Sequence, residues 1–244
     1  MRHASICTAV FGMYGLVFVA PAAAQNMMQH VDLTSPEMTA AEMTRAEVEA
    51  VIGAATFTRP ADFTGKKLSG LDLSGLDLTG AVLRAARLNR AKLTDAKLDR
   101  AILDQAWLLE ADLSRASLRG ANIFGAQMQR AKLDGADLSG ARIAADLTGA
   151  SLVGAVLVGA NLGADMKNQS MGLMRAVLKS ANLERAVLRD ADLSRVDLEF
   201  ASLRSASKLS CLNLDGAESS GSESPRRMYY SLGTIPRRLR SPRT

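Results

Sequence analysis

A five-residue period of bulky aliphatic side chains runs through this chain from about Phe63 to Leu203, usually with an alanine two residues earlier. An α-helix advances about 500° over five residues, so these side chains would wander around it and define no buried stripe. A straight strand alternates its faces with a period of two, so an odd step would send every second aliphatic side chain to the wrong face. The period therefore predicts a chain that turns once per repeat and points each leucine and alanine at a shared axis.

The clearest repeats are ADLSR at 111–115, ADLSG at 136–140 and ADLSR at 191–195. They resemble the pentapeptide repeat family, whose consensus is A-(D/N)-L-x-x, and the resemblance extends over residues 61–215. It implies an all-β fold, a right-handed quadrilateral β-helix with four repeats per coil and about seven coils. It also implies that leucine fills the interior and that the small alanine packs beside it.

Charged residues support a 20-residue coil independently of that resemblance. Residues 20 apart would stack at the strand spacing of about 4.8 Å, where opposite charges contribute roughly 0.2 to 1 kcal/mol. The sequence contains such ladders at Asp72, Lys92, Asp112 and Lys132, at Arg90, Glu110 and Arg130, and in the pairs Asp95 with Arg115 and Asp99 with Arg119. These charges are therefore predicted to be structural.

Residues 1–24 have the layout of a secretory signal peptide: Arg2 near the start, an apolar run over 9–20, and an A-x-A pattern at 22–24. The apolar run is shorter than the approximately 20 residues that a membrane-spanning helix needs. We expect cleavage before Gln25 and export to a periplasm or out of the cell. An uncleaved membrane anchor is the alternative.

Residues 25–60 are predicted to form a linker and a helix. Ser35 suits an N-cap, Pro36 suits the first helical position, and Gly53 suits a stop, so the predicted helix runs from Pro36 to Ile52. An open end of a solenoid exposes backbone edges and apolar interior. The helix is expected either to cap that end or to bind a partner.

The repeat register slips between Ile143 and Leu147, a step of four, and breaks up over residues 163–172 before Leu173. From 143 to 173 the distance is a multiple of five, which predicts that one missing residue is compensated by one extra. Residues 163–172 are expected to form a bulge or loop on one side. Such a segment is either a binding site or a tolerated insertion.

Positive charge is concentrated outside the repeats. Residues 216–244, predicted to be a disordered basic tail, hold six arginines and two glutamates, and the signal adds Arg2, which together account for the net charge of +5. Residues 25–215 are therefore neutral, and nucleic acid binding by the solenoid has weak support. Membrane contact is expected only through the signal or the basic tail.

Catalytic and metal-ligating residues are scarce. Beyond residue 24 the chain holds one cysteine, Cys211, and one histidine, His30, neither of them in the regular repeats. This argues against histidine-dependent nucleophilic catalysis and against a multi-histidine metal site in the solenoid. We expect no enzyme activity, no cofactor and no metal.

Apolar residues at outward positions indicate where a partner could bind. Contiguous exposed apolar groups mark interfaces, and tryptophan is enriched at their energetic centres. The candidate site consists of Val82, Ile102, Trp107, Leu109 and Phe124, on two adjoining sides of consecutive coils. A weaker candidate on another side consists of Val156, Val158 and Val177. The main patch is expected to bind a protein or a second copy, unless the N-terminal region or the tail covers it.

Three functions remain open at this stage. The first is an exported, non-enzymatic scaffold for protein–protein interaction through a flat solenoid side. The second comes from the family resemblance, because some pentapeptide repeat proteins mimic duplex DNA, bind type II topoisomerases and confer quinolone resistance. Such a mimic should be acidic and cytoplasmic, which this neutral chain with an export signal is not expected to be. The third is an envelope-attachment spacer that uses the arginine-rich tail.

Overall fold

The structure, a computed structural model, describes Asp32, residues 35–164 and residues 174–207. All of these except Asp32 belong to one compact unit. The predicted signal peptide, the predicted basic tail and most of the predicted loop at 163–172 lie outside the described residues.

Parallel bridges between residues of successive coils build the body from Asp62 to Ser207. Each bridge is a single residue pair, so within the described ranges the solenoid has bridges in place of strands of several residues. The offset is 20 in the first coils, which gives four sides of five residues and confirms the period read from the charges. The coils are residues 61–80, 81–100, 101–120, 121–140, 141–159, 160–190 and 191–207, numbered 1 to 7.

The four sides are named by their bridge columns. Side 1 contains Asp62, Val82, Ile102, Asn122, Arg142, Asn161 and Asp192. Side 2 contains Lys67, Arg87, Trp107, Gln127, Asp146, Val177 and Asp197. Side 3 contains Asp72, Lys92, Asp112, Lys132, Ser151, Asn182 and Ser202. Side 4 contains Asp77, Lys97, Ser117, Asp137, Val156, Val187 and Ser207.

The core is a column of leucines with alanines beside them, and nearly all are buried from Phe63 to Leu198. Each bridge residue donates its backbone N–H to the coil below, and the leucine after it donates to the coil above. For example, Asp112 donates to the Ala91 carbonyl at 3.0 Å and Leu113 to the Lys132 carbonyl at 2.7 Å. Backbone polar groups are thereby paired between coils, which leaves the apolar side chains to fill the axis.

Corner residues adopt left-handed backbone conformations between consecutive sides. Gly80 has φ +68° and Arg100, stacked in the next coil, has φ +57°. The turn is closed by a hydrogen bond such as that from the Ala101 N–H to the Leu98 carbonyl, at 3.0 Å. Glycine tolerates this conformation, whereas other residues occupy it at a cost in conformational energy.

We predict that Gly80→Ala lowers the free energy of unfolding by about 1 kcal/mol, because φ is positive there. Apart from Gly80 and its chain neighbours, no atom of the described residues lies within 4 Å of an added Cβ, so the expected cost comes from the backbone conformation. Arg100→Gly, at the same corner, should leave stability unchanged or raise it slightly. Urea unfolding of both variants measures this, and a penalty for Arg100→Gly as large as that for Gly80→Ala would contradict it.

In the described part of the chain, two helices precede the solenoid where one was predicted from Pro36 to Ile52. They are α1 (Pro36–Thr39) and α2 (Arg45–Gly53). Within the described residues, neither helix is long and apolar enough to cross a membrane.

The break between the helices comes from hydrogen bonding to coil 1. Ala41 forms an antiparallel bridge with Leu68, and the Glu42 N–H donates to the Lys67 carbonyl at 2.8 Å. The backbone at 41–42 therefore pairs with the solenoid and cannot continue the helical ladder.

Helix α2 begins with a capping box formed by Thr44 and Glu47. This hydrogen bonding to Thr44 lowers the pKa of Glu47. Val48 is fully buried and belongs to the solenoid core, while the Arg45 guanidinium donates to the Asp72 carbonyl at 2.8 Å. Met43, Val51 and Ile52 also pack against the core. The helix therefore lies against coil 1.

The predicted slip in register is present at the corner between sides 1 and 2, which we call the first corner. In coil 3, three residues separate the interior Leu103 from the bridge residue Trp107, whereas in coil 5 only two, Ala144 and Ala145, follow Ile143. Both alanines are buried. Coil 5 is therefore one residue short at this corner.

The insertion that compensates for this missing residue lies at the first corner of coil 6 and is longer than predicted. In the first coils each bridge joins residues 20 apart, so Asp146 would be expected to pair with position 166. It instead bridges Val177, so coil 6 is longer than a regular coil by two repeats and one residue. The Ala176 N–H donates to the Leu162 carbonyl at 3.1 Å, which closes the insertion with an ordinary corner hydrogen bond. The one extra residue predicted to restore the register is therefore present, but two additional repeats, which were not predicted, accompany it. Regular bridging resumes at Val177, and Leu173 lies outside the described residues.

Candidate protein-binding surface

On side 1, Val82 and Ile102 form a direct bridge in coils 2 and 3, and both are partly exposed. Phe124 lies in coil 4, two residues after the bridge residue Asn122. The Arg142 guanidinium carbon lies 4.5 Å from the centre of the Phe124 ring, which is cation–π geometry. These apolar side chains therefore occupy three consecutive coils of one side.

On side 2, Trp107 lies between Arg87 of coil 2 and Gln127 of coil 4 and is partly exposed. The first corner separates it from Ile102 of the same coil, with the exposed Gln105 at the turn. Trp107 and the side 1 residues therefore lie on adjoining sides of consecutive coils.

Leu109 does not belong to the exposed surface, although its position is outward. It is 6% exposed and stacks above Asn89, whose side-chain oxygen accepts from the Leu109 N–H at 3.1 Å. The Asn89 amide in turn donates to the Met38 carbonyl of α1 at 3.0 Å. The N-terminal segment thus contacts this column at Asn89, which sequence periodicity alone could not show. We define the Trp107 surface as Val82, Ile102, Trp107 and Phe124.

The weaker candidate site is also divided. Val156 and Val158 lie together on side 4 of coil 5, but Val177 lies on side 2 of coil 6. The sequence spacing grouped Val177 with the other two valines because it could not show that the insertion in coil 6 shifts the repeat register before Val177. Val187 takes its place beside the other two by bridging Val156 directly.

Ion pairs follow the predicted ladders on the neighbouring corners. Glu110 lies between Arg90, at 2.9 Å, and Arg130, at 2.6 Å, and hydrogen bonding to Arg90 contributes most to lowering its pKa. Asp95 pairs with Arg115 at 2.8 Å, which lowers the pKa of Asp95 and raises that of Arg115. These exposed pairs satisfy each other between coils and leave little charge for a ligand.

One predicted pair is made differently. Asp99 stacks with Arg119, but its carboxylate accepts from the Arg119 backbone N–H at 3.0 Å. The Arg119 guanidinium instead approaches Asp137 at 3.7 Å. A side-chain charge pattern can predict which residues stack, but not which atoms of the residues bond.

The C-terminal end of the insertion lies at the first corner, beside the Trp107 surface, and the sequence did not predict this position. The terminal carbon of Met174 lies 3.8 Å from the position that a Cβ on Gly125 would take. The spacing of the alanines could have shown where the insertion ends. Ala176 lies two residues before Leu178, as in the regular repeats, whereas Met171 stands in the alanine position before Leu173. Two exposed aromatic residues, Phe57 and Phe200, were also not predicted.

The chemistry available at the Trp107 surface is apolar contact with some polar and cationic neighbours. Among the described residues, no group of three or more His, Cys, Asp or Glu side chains could hold a metal ion. The surface can desolvate a partner's apolar side chains and offer Arg142 and Gln127 at its edge.

Eight pentapeptide repeat copies match this sequence over residues 67–105, 101–140, 143–168 and 173–207, more than half of the chain. The chain belongs to the pentapeptide repeat family. Proteins of this family form right-handed quadrilateral β-helices and are generally non-enzymatic.

Similar solved structures include HetL, a pentapeptide repeat protein involved in heterocyst differentiation regulation in the cyanobacterium Nostoc sp. strain PCC 7120. It is 37% identical over 66% of this chain and 70% of its own, with a TM-score of 0.36. A trypsin-treated variant of QnrB1, a plasmid-mediated fluoroquinolone resistance protein, is 19% identical over 72% and 93%, with a TM-score of 0.40. A pentapeptide repeat protein of the Arabidopsis thaliana thylakoid lumen is 33% identical over 42% and 65%, with a TM-score of 0.24. No curated protein sequence matches significantly.

Proposed function

We propose that this pentapeptide repeat protein is an exported, non-enzymatic scaffold that binds a protein partner or a second copy through the Trp107 surface. One observation carries the proposal: Val82, Ile102, Trp107 and Phe124 interrupt an exterior whose other columns are dominated by polar and charged side chains. Apolar groups gathered on consecutive coils favour burial against another protein.

Trp107 is the expected energetic centre of that interface. It is the chain's single tryptophan, and tryptophan is among the residues whose truncation weakens protein complexes most. The rigid backbone supports this role, since Trp107 donates to the Ala86 carbonyl at 2.9 Å and accepts from Leu88 at 2.7 Å. Its backbone is therefore held in place before a partner binds, which lowers the entropic cost of association.

The proposal assigns each segment a task. Residues 1–24 direct export to a periplasm or out of the cell, and residues 25–60 form a linker whose helix α2 caps the open end of coil 1. Residues 61–215 form the binding solenoid, and residues 216–244 form a basic tail. Burial of Val48 in the core supports the capping role.

The other two functions have less support. A DNA mimic must present a strongly acidic surface, whereas residues 25–215 are neutral and their cations alternate with the acids. A spacer that attaches the solenoid to the envelope would require only the tail and would leave the Trp107 surface without a role.

The Trp107→Ser variant tests the proposal, with Phe200→Ser as its control. Phe200 is 55% exposed and lies at a corner between sides 2 and 3, so its loss reports on exposed aromatics in general. We expect Trp107→Ser to weaken self-association, or binding of the partner recovered from the cell envelope, by about tenfold or more. Phe200→Ser should bind like the unaltered protein in sedimentation and binding titrations. Equal binding by Trp107→Ser and the unaltered protein would exclude this surface.

A further inference from the structure

A second apolar surface lies on coil 5, away from the Trp107 surface. The outward side chains from residue 153 to 159 are Val153, Val156 and Val158, and glycines occupy the corners at 154 and 159. All three valines are partly exposed, and Val187 of coil 6 bridges Val156 and continues the surface upward. We call these four residues the valine belt.

Acidic side chains border this belt. Asp134 and Asp137 lie in the corresponding positions of coil 4 below it. In coil 6 above it, the outward charged residues are Glu184, Arg185, Arg189 and Asp190. Arg119 of coil 3 also reaches Asp137, at 3.7 Å, so four carboxylates face three guanidinium groups and the border has a net charge of −1. The belt is therefore suited to an apolar segment that carries positive charge at its ends.

The described part of the chain ends on side 4, the side on which Val156 and Val187 of the valine belt lie. Ser207, the last described residue, lies on side 4 and bridges Val187. Val156 is therefore two coils, about 10 Å, from the point where residues 208–244 begin. Residues 208–215 belong to the proposed solenoid, so the linker is 216–225, which could span about 33 Å if fully extended and lets the segment that follows reach the belt.

That segment has the complementary chemistry. Residues 226–238 read RRMYYSLGTIPRR, with Met228, Tyr229, Tyr230, Leu232 and Ile235 between two arginine pairs. We propose that residues 226–238 bind to the valine belt of their own chain, with the apolar residues on the valines and the arginines against the acidic border. This surface is separate from the Trp107 surface, so the proposal stands or falls independently of it.

Binding within one chain is favoured by concentration. The linker 216–225 holds the segment near the belt at an effective concentration of the order of millimolar, far above that of a second copy in dilute solution. A weak complementary contact therefore suffices in the same chain, whereas the same contact between separate molecules would need higher affinity.

Tyrosine nitration of the full chain, measured by peptide mass spectrometry, tests the proposal at Tyr229 and Tyr230. We expect nitration of both residues to be about tenfold slower in the native protein than in urea. Val156→Lys should restore most of the unprotected rate, because it places a cation where the arginine-flanked segment binds. The new lysine stacks on Asp137 in the coil below, so the variant is expected to fold.

Val177→Lys is the matched control. It replaces another partly exposed valine, places a lysine above Asp146 on side 2 in the same way and should leave the tyrosines protected. Tyrosines that react equally fast in native protein and in urea, or protection unchanged by Val156→Lys, would overturn the proposal. Protection that disappears on dilution would assign the belt to a second copy, and protection that requires added anionic lipid vesicles would assign the segment to a membrane. Either result would overturn binding within one chain.

Discussion

Leu113→Ala is expected to lower the free energy of unfolding by about 3 to 5 kcal/mol, the largest effect among conservative changes to this protein. Leu113 is fully buried in the interior of coil 3. Backbone hydrogen bonds to the coils above and below fix this side of the coil, so neighbouring side chains cannot close the cavity that the truncation leaves. Urea unfolding, followed by circular dichroism, measures the loss.

Leu113→Met provides the control for that prediction. It keeps most of the side-chain volume and should cost less than about 1.5 kcal/mol. If the alanine and methionine variants were equally stable, the interior could not be the close-packed leucine column described here.

Val48→Asp is expected to cost about 3 to 5 kcal/mol, because it buries a carboxylate among the apolar side chains of the core. Val48 is the residue through which α2 enters the solenoid core. Coil 1 should lose protection first, since each coil of a solenoid is stabilised mainly by its neighbours. Amide hydrogen exchange should therefore accelerate at Phe63 and Leu68 more than at Leu152 of coil 5.

Ala50→Asp is the control on the same helix. Ala50 is exposed in the last turn of the helix, so the substitution should cost the difference in helix propensity and the unfavourable helix dipole, together about 1.5 kcal/mol or less. Similar unfolding and exchange in both aspartate variants would show that α2 does not cap the solenoid.

The regular part of the fold could be predicted from the sequence because each regular repeat contains its own interior leucine, usually with an alanine two residues earlier. Leucine spacing places the interior, and the spacing of opposite charges sets the length of the coil, as the bridge from Asp112 to Lys132 confirms. The one-residue slip in the repeat register after Ile143 could likewise be predicted from the sequence. The length of the insertion could not, because Leu173 fits the five-residue spacing although the bridges resume only at Val177.

The remaining differences depend on contacts distant in sequence. The break between α1 and α2 requires the Lys67 carbonyl to accept from Glu42, which no local helix signal encodes. Leu109 is buried where its N–H donates to Asn89, whose amide donates to Met38 of α1, far earlier in the chain. The candidate site could therefore be predicted as a group of outward residues, but not which of them would be buried.

Photo-crosslinking from position 107 is the most direct test of the Trp107 surface. A benzoylphenylalanine would replace Trp107 in one variant and Lys97, an exposed residue of the opposite side, in the other. Illumination in the protein's own cells should attach a defined protein, a partner or a second copy, at position 107 and not at position 97. Equal adducts at both positions, or none at position 107, would show that this surface does not bind protein.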